Sequence, residues 1–389
     1  MPNVSEKLKN FTDSVIRRMT RIANAYGAVN LSQGFPDFAP PVELREALAE
    51  AALKGPHQYA VTWGAANFRE ALAQKQSRFM GLTIDPETQI VVTCGSTEAM
   101  MAAMLTVCNP GDKVIVFSPF YENYAADAIL SGAEPIYVAL RPPKFEFERD
   151  ELEAAFKKNP KALIICNPSN PTGKVFTLGE LTVIAELAEK YDTFVITDEV
   201  YEHIVYEPYK HIYFASLPGM AARTISCSSL SKTYSITGWR LGYSIAPPAI
   251  TEGLRKVHDF LTVGAAAPLQ EAAVTALHLP DGYYGNLRDL YTEKRDFFLK
   301  GLQKLNLKYT VPQGAYYVLV DISEFSSTND LDFCEWMAQE VGVAAVPGSS
   351  FFREDINYLV RLHFAKKTET LQKALRQLEL LREKAKNYR

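Results

Sequence analysis

From Ile90 to Ala246 the chain alternates short apolar runs with stretches in which apolar residues recur every three or four positions. The runs are Ile90–Thr93, Val114–Phe117, Ile136–Ala139, Ala162–Cys166, Phe194–Thr197, Thr224–Cys227 and Leu241–Ala246. Several are apolar at successive positions, as a strand covered by helices on both faces must be. Between them the spacing predicts helices. In Leu178–Lys190, for example, Leu178, Leu181, Ile184, Ala185 and Ala188 fall on one face. Strand–helix alternation sustained over about 160 residues predicts an α/β fold built on a mostly parallel sheet.

The last third reads differently. Gly285 to Leu305 predicts a long helix, Ala315–Val320 and Leu359–Phe364 predict strands, and a final helix carries Leu371, Leu375, Leu378 and Leu381 on one stripe. This α+β pattern places a domain change near residue 280. The expected division is an N-terminal arm over 1–40 that joins the second domain, a large domain over 41–280 and a small domain over 281–389. A small domain made from both chain ends would put a site in the crevice between it and the sheet.

The 389 residues allow two or three domains and a sizeable core. With 47% hydrophobic and 22% charged residues the composition is ordinary for a soluble protein, and a net charge of −4 suggests no anionic partner. No Lys/Arg block points to nucleic acid. The longest apolar run, about ten residues at Ala99–Cys108, is too short to span a bilayer, and the polar start has no signal-peptide core. Five scattered cysteines without a Cys-x-x-Cys suggest reduced thiols and a cytoplasmic setting. Six histidines in no ligand-like pairing make a metal site unexpected. An enzyme or a large binding protein remains.

Four clusters sit at expected strand ends. After Ile90–Thr93, Gly95 permits a tight turn, and Ser96 and Thr97 open a helix to about Cys108. Free N–H groups there offer an anion site, although a Gly-Ser-Thr start is by itself more often a plain N-cap. In Ser226–Arg240, Lys232 lies among small hydroxyl residues directly after a strand. Held out of water, such an amine loses its proton as a Schiff-base lysine must; the bland alternative is a solvated surface lysine. Arg240 offers a fork for a phosphate, or else a surface ion pair. Asp198 ends the strand Phe194–Thr197 and Tyr201 follows; an acid there faces the ligand crevice or caps a helix. In Asn167-Pro-Ser-Asn-Pro-Thr-Gly173 two asparagines follow another strand, as a turn or as two side chains facing one crevice.

Together, Asn-Pro-x-Asn-Pro-Thr-Gly, Asp-Glu-Val-Tyr, Ser-x-Ser-Lys-Thr and Thr-Gly-Trp-Arg-x-Gly, in this order, closely resemble the class I/II aminotransferases. Within that family the chain is most similar to the kynurenine, glutamine, methionine and aromatic group. The resemblance runs from Asn30-Leu-Ser-Gln-Gly-Phe-Pro-Asp-Phe38 to Arg361-Leu-His-Phe-Ala365. It implies fold type I: a seven-stranded, mostly parallel sheet sandwiched by helices, with a smaller α+β domain from both chain ends. It also implies pyridoxal 5′-phosphate as cofactor and transfer of an amino group from an L-amino acid to a 2-oxo acid by a ping-pong mechanism.

The resemblance further implies residue roles. Lys232 condenses with the cofactor aldehyde and later moves the substrate proton. Asp198 faces the pyridine nitrogen, while Tyr201 and Asn170 bond the phenolic oxygen. Ser96, Thr97, Ser229 and Arg240 form the phosphate cup, and Tyr121, of the Phe120–Tyr121 pair, stacks on the ring. Arg361, with Asn170 beside it, grips the substrate α-carboxylate, and Gly34 lines that end of the pocket. Tyr59 reaches the phosphate in a neighbouring subunit, which implies a homodimer with shared sites. Tyr26, Phe35, Tyr59, Trp63 and Tyr121 are candidates to line a pocket for a large apolar or aromatic side chain.

Bacterial aspartate members usually carry Gly-Gly-Lys where this chain has Gly95-Ser-Thr97, which weakens an aspartate reading; an aspartate, alanine or diaminopimelate-type aminotransferase stands as an alternative. The nearest rival reaction is a carbon–sulfur β-lyase. Relatives of that kind tend to read Asp-Glu-Ile-His and Ala-Gly-Leu, against Asp198-Glu-Val-Tyr201 and Thr237-Gly-Trp239 here. A DNA-binding regulator built on the same fold needs a winged-helix domain, and only about 30 residues precede Gln33-Gly-Phe-Pro36. A dead homologue would normally lack the lysine or the aspartate.

Overall fold

The computed structural model describes every residue except 1, 2, 10, 12, 327, 328, 387 and 389. Parts of the polar start and of the two terminal segments therefore lie outside the described residues. The seven apolar runs form one sheet. Its order is Ile90–Thr93, Gly242–Ile245, Thr224–Ser229, Phe194–Asp198, Ala162–Cys166, Lys113–Ser118 and Glu134–Ala139. Only Gly242–Ile245 runs antiparallel to its neighbours; the other strands point the same way. Side chains alternate between two helical layers. Ile115, Phe117, Leu163, Ile165 and Val195 enter one core; Val114, Val116, Ile164, Ile196 and Ile225 enter the other. Burial on both faces is why apolar residues stand at successive positions in most of these strands.

The helix Leu178–Lys190 has the limits expected of it. Thr177 caps it, accepting from the Glu180 N–H while the Glu180 carboxylate returns to the Thr177 N–H. This reciprocal pair satisfies two donors that a helix start otherwise leaves free.

A second core joins residues from both chain ends. Met19, Val29 and Leu31 pack with Tyr291, Phe298, Val318, Phe333, Val343 and Leu371. The first 40 residues hold more structure than expected. A helix, Val15–Tyr26, is capped by Ser14 and closed by Gly27 in the left-handed region (φ 62°). A two-residue strand, Val29–Asn30, then pairs in parallel with Val343–Ala344. The strands Tyr317–Asp321 and Leu359–His363 form the centre of an antiparallel sheet edged by Lys308–Tyr309 and Val346–Pro347. The long helix spans Asp281–Lys304, beginning a turn before the expected Gly285. The final stripe is not one helix. It breaks into Thr368–Leu378 and Leu381–Ala385, because the Leu380 N–H reaches back three residues to Gln377 instead of four. The bend still buries Leu371, Leu378 and Leu381.

Replacing Thr177 by Ala removes one half of the capping pair and is expected to cost about 1 kcal/mol. Urea unfolding with an unchanged denaturant slope and a lower midpoint is the expected result; an unchanged midpoint would show the cap to be energetically idle.

Candidate active site

The strands ending at Thr93, Cys166, Asp198 and Ser229 finish at the same sheet edge. The loops that follow them, with the segment around Gly34, enclose a cavity of about 410 Å³. Ser96, Thr97, Tyr121, Asn170, Asp198, Tyr201, Ser229, Lys232, Arg240, Arg361 and Gly34 all line it.

Asp198 is buried at the cavity floor and accepts a hydrogen bond from the Tyr124 hydroxyl at 2.7 Å. Burial pushes its carboxyl above the usual range, and the Tyr124 bond, the Val200 N–H and the Lys232 charge oppose that. Lys232 follows the strand Thr224–Ser229. Its Nζ donates to the Gly34 carbonyl at 3.2 Å and lies over the rings of Tyr201 and Tyr316 at 5.9 and 5.8 Å. Burial, against the pull of Asp198, brings its ammonium down to about 8. No hydrogen-bonding carboxylate holds the proton on, so the amine is poised to be neutral near working pH.

At one end of the cavity the helix Ser96–Val107 begins without a side-chain cap. Its first N–H groups are therefore free for an anion. Gly95 there adopts φ 85°, and an added Cβ would strike the Arg240 guanidinium; one on Gly242 would strike the Gly95–Ser96 peptide. Glycine at both positions leaves a cradle. Arg240 is fixed over it by bonds from Nη1 to Thr237 O (3.0 Å) and Nη2 to Cys94 O (3.4 Å).

Arg361 is fully buried at the other end. Its Nη1 donates to Asn170 Oδ1 and its Nη2 to Ser32 O, both at 2.6 Å, and it stacks on Tyr317 at 4.2 Å. Its Nε has no partner. A buried guanidinium without a carboxylate is costly unless an anion completes it. Tyr201 shares a 2.8 Å hydrogen bond with the hydroxyl of Tyr317, and Tyr121 stands edge-on to Tyr124 at 5.8 Å.

Some expected residues lie elsewhere. Tyr59 is 87% exposed and outside this cavity. Asn167 does not share the crevice with Asn170; its amide is spent on the Phe176 N–H and the Ile212 carbonyl, which fix its own loop. Of the suggested side-chain pocket, Phe35 and Tyr121 line the cavity, whereas Tyr26 is exposed and Trp63 packs under Arg255. Sequence reasoning missed Tyr124 and Tyr317, because nothing in their spacing marks a hydroxyl that reaches another element. It also missed Ser14, Ile16, Arg17 and Glu122, which bring the first helix to the cavity mouth. There Ser14 Oγ and the Val15 N–H (3.2 Å) donate to Glu122.

The profile of the family described as Aminotransferase class I and II matches residues 26–378. The chain belongs to that family. It is 38% identical over 376 residues to the methionine aminotransferase of Escherichia coli K12, covering 96% of this chain and 97% of that one. It is 34% identical to kynurenine–oxoglutarate transaminase 3 of Rattus norvegicus, covering 95% and 88%. The structure of N-succinyldiaminopimelate aminotransferase from Mycobacterium tuberculosis superposes with a TM-score of 0.94 at 36% identity, covering 97% and 100%. The chain is thus a fold type I aminotransferase that acts on amino and 2-oxo acids and uses pyridoxal 5′-phosphate.

The cavity fits that cofactor on its own evidence. A glycine cradle with an arginine stands at one end, an amine lies mid-way, and a buried carboxylate without a cationic hydrogen-bond partner lies on the floor.

With no aldehyde bound, amine-specific labelling of the aminotransferase followed by peptide mapping should modify Lys232 half-maximally near pH 8. Exposed lysines should respond about two units higher. Below that midpoint Lys232 is protonated and spared; a Lys232 profile matching the exposed lysines would contradict the burial argument.

Proposed function

We propose that this aminotransferase takes amino acids of the aromatic, methionine, kynurenine or glutamine type, using Lys232 and Asp198 as its central pair. The observation that carries the reading is the placing of Lys232, Asp198 and Arg361 in one cavity with the Gly95 cradle. Bound pyridoxal 5′-phosphate supplies the aldehyde that accepts the amino group and a ring that receives the electrons left when Cα–H breaks. The Ser96 and Thr97 N–H groups, Ser229 and Arg240 hold its phosphate. Tyr121 would cover one face of the ring, and Tyr201 and Asn170 would bond its phenolic oxygen. Asp198 keeps a proton on the pyridine nitrogen.

With that group bound, Lys232 would be the base that takes the proton from the substrate Cα and holds it for return. Arg361 and Asn170 grip the α-carboxylate. That grip sets which Cα bond stands perpendicular to the ring, so positioning selects proton removal. Ile16, Phe35 and Tyr121 supply an apolar wall for the side chain. The names of the methionine and kynurenine relatives point the same way. The absence of a lysine at Ser96 or Thr97 speaks against aspartate.

The same reading includes a homodimer and a cytoplasmic setting. Tyr59 and Val61 are exposed beside Phe260 (91% exposed), Leu261 and Val263. The His258–Thr62 (2.9 Å) and Cys94–Gly264 (3.9 Å) bonds bring these segments together next to the cradle. An apolar patch there suits a second copy whose Tyr59 reaches the phosphate. Five free cysteines suit a reducing compartment. The reading also keeps the domain limits 1–40, 41–280 and 281–389, a division supported by the separation of the seven-stranded sheet from the two smaller sheets.

Titrating the holoenzyme with a panel of amino acids should bleach its yellow band most readily with methionine, phenylalanine, kynurenine or glutamine. Preference for aspartate over all four would overturn the substrate class. Pyruvate and ammonia from cystathionine without an oxo-acid acceptor would favour the lyase instead. Lys232→Ala should lower turnover by at least about 10⁴-fold with little loss of stability. Retained turnover would remove Lys232 from the mechanism.

A further inference from the structure

A second buried acid lies near the cavity floor, and none of the roles above uses it. Asp127 sits on the helix Asn123–Ser131, three residues after Tyr124, so both side chains leave the same helical face. Tyr124 delivers its hydroxyl to Asp198 at 2.7 Å. Asp127 is only 4% exposed, and its Oδ2 has no hydrogen-bond partner among the described residues. An acid so placed costs stability, first for losing water and again for the bonds it does not make. Leucine or alanine would suit the same helix face better, which points to a use for the acid.

Burial first, and then the charge of Asp198, push the Asp127 carboxyl up to about 8. Two carboxyls in each other's field do not both ionise readily, and the better-solvated one ionises first. Asp198 has the Tyr124 hydroxyl, the Val200 N–H and the field of Lys232 in its favour; Asp127 has none of these. The other groups around the pair do not reverse the order. Burial keeps the thiols of Cys166 and Cys227 neutral on the adjoining strands, and Glu199 adds negative charge from behind Asp198. On the helix packed alongside, Glu98 is committed to His258 at 2.5 Å. Lys113 starts the strand Lys113–Ser118, at the end away from Tyr121 and the cavity, and Glu134 and Tyr137 lie on the edge strand Glu134–Ala139 beside it.

We propose that Asp127 is a positioning residue for the cofactor. It keeps its proton so that Asp198 alone is charged beneath the pyridine nitrogen, and its ionisation puts a second negative charge on that side of the cavity. The inference rests on the assignment of Asp198 to the pyridine nitrogen. Once Asp127 ionises, the added charge strengthens the hold on protons at the bound cofactor. Asp127 therefore links the state of the ring to pH from outside the residues that touch it.

Asp127→Asn keeps the shape and removes the ionisation. An acid whose folded pKa is raised makes the folded state bind more protons than the unfolded chain, so stability falls as pH climbs between the two values. The thermal midpoint of D127N should therefore exceed that of the wild type by a margin that grows from about pH 4 to about pH 8 and then levels. In the holoenzyme, the pH titration of cofactor absorbance should differ between the two proteins by about half a unit or more on the alkaline side. A purely structural Asp127 would move the melting curves and leave the absorbance titration unchanged, and superimposable titrations would overturn the proposal.

Should D127N not fold, infrared spectra of the wild-type holoenzyme carry the test. A protonated carboxyl band should vanish near pH 8 together with a change in cofactor absorbance, and its absence overturns the proposal equally. Asp198→Asn separates the two readings. If D198N alters the cofactor spectrum and D127N does not, only this inference fails; if D198N alters nothing, the assignment of Asp198 fails first.

Discussion

The site depends on one amine that gives up its proton more easily than a lysine in water. Lys232 is enclosed by the faces of Tyr201 and Tyr316 and by the Gly34 carbonyl, and its nearest hydrogen-bond acceptor is neutral. In water the same amine would be charged and chemically silent. Burial takes away the solvent that would stabilise the charge, and Asp198 restores only part of it. The surrounding architecture maintains that balance. The sheet edge sets Asp198, the turn after Ser229 sets Lys232, and the segment from the chain's other end closes over both through Gly34.

The cavity is also polarised along its length. In the reading proposed above, a helix start and Arg240 hold a phosphate at one end, and the buried Arg361 holds a carboxylate at the other. That reading brings an amino acid and a phosphorylated aldehyde together in one orientation, with their reacting atoms beside Lys232. The elements that hold these two ends belong to different cores, one around the seven-stranded sheet and one around Tyr317–Asp321 and Leu359–His363. Any shift between those cores changes the distance between the anion sites.

Much of this was legible in the chain itself, where the physics acts locally. Strands covered on both faces are apolar at most positions, so the seven runs could be read from the chain, and the apolar spacing marked the helix Leu178–Lys190 at both limits. The motif residues at strand ends converge on one cavity because parallel strands share one carboxyl edge. What stayed hidden depends on partners far away in sequence. Two-residue pairings such as Val29–Asn30 with Val343–Ala344 have no periodicity to detect. Tyr124 and Tyr317 look like core aromatics until their hydroxyls are seen at Asp198 and Tyr201. Asn167 and Asn170 look equivalent, yet one fixes a loop and the other holds Arg361. The joint at Leu380 leaves the leucine stripe intact while bending the helix that carries it.

Reduction of the holoenzyme with borohydride, followed by peptide mapping, tests the central claim most directly. A single pyridoxyl group on the peptide that contains Lys232 is the result this account requires. A fully loaded enzyme that yields the group on another lysine, or on none, would contradict it.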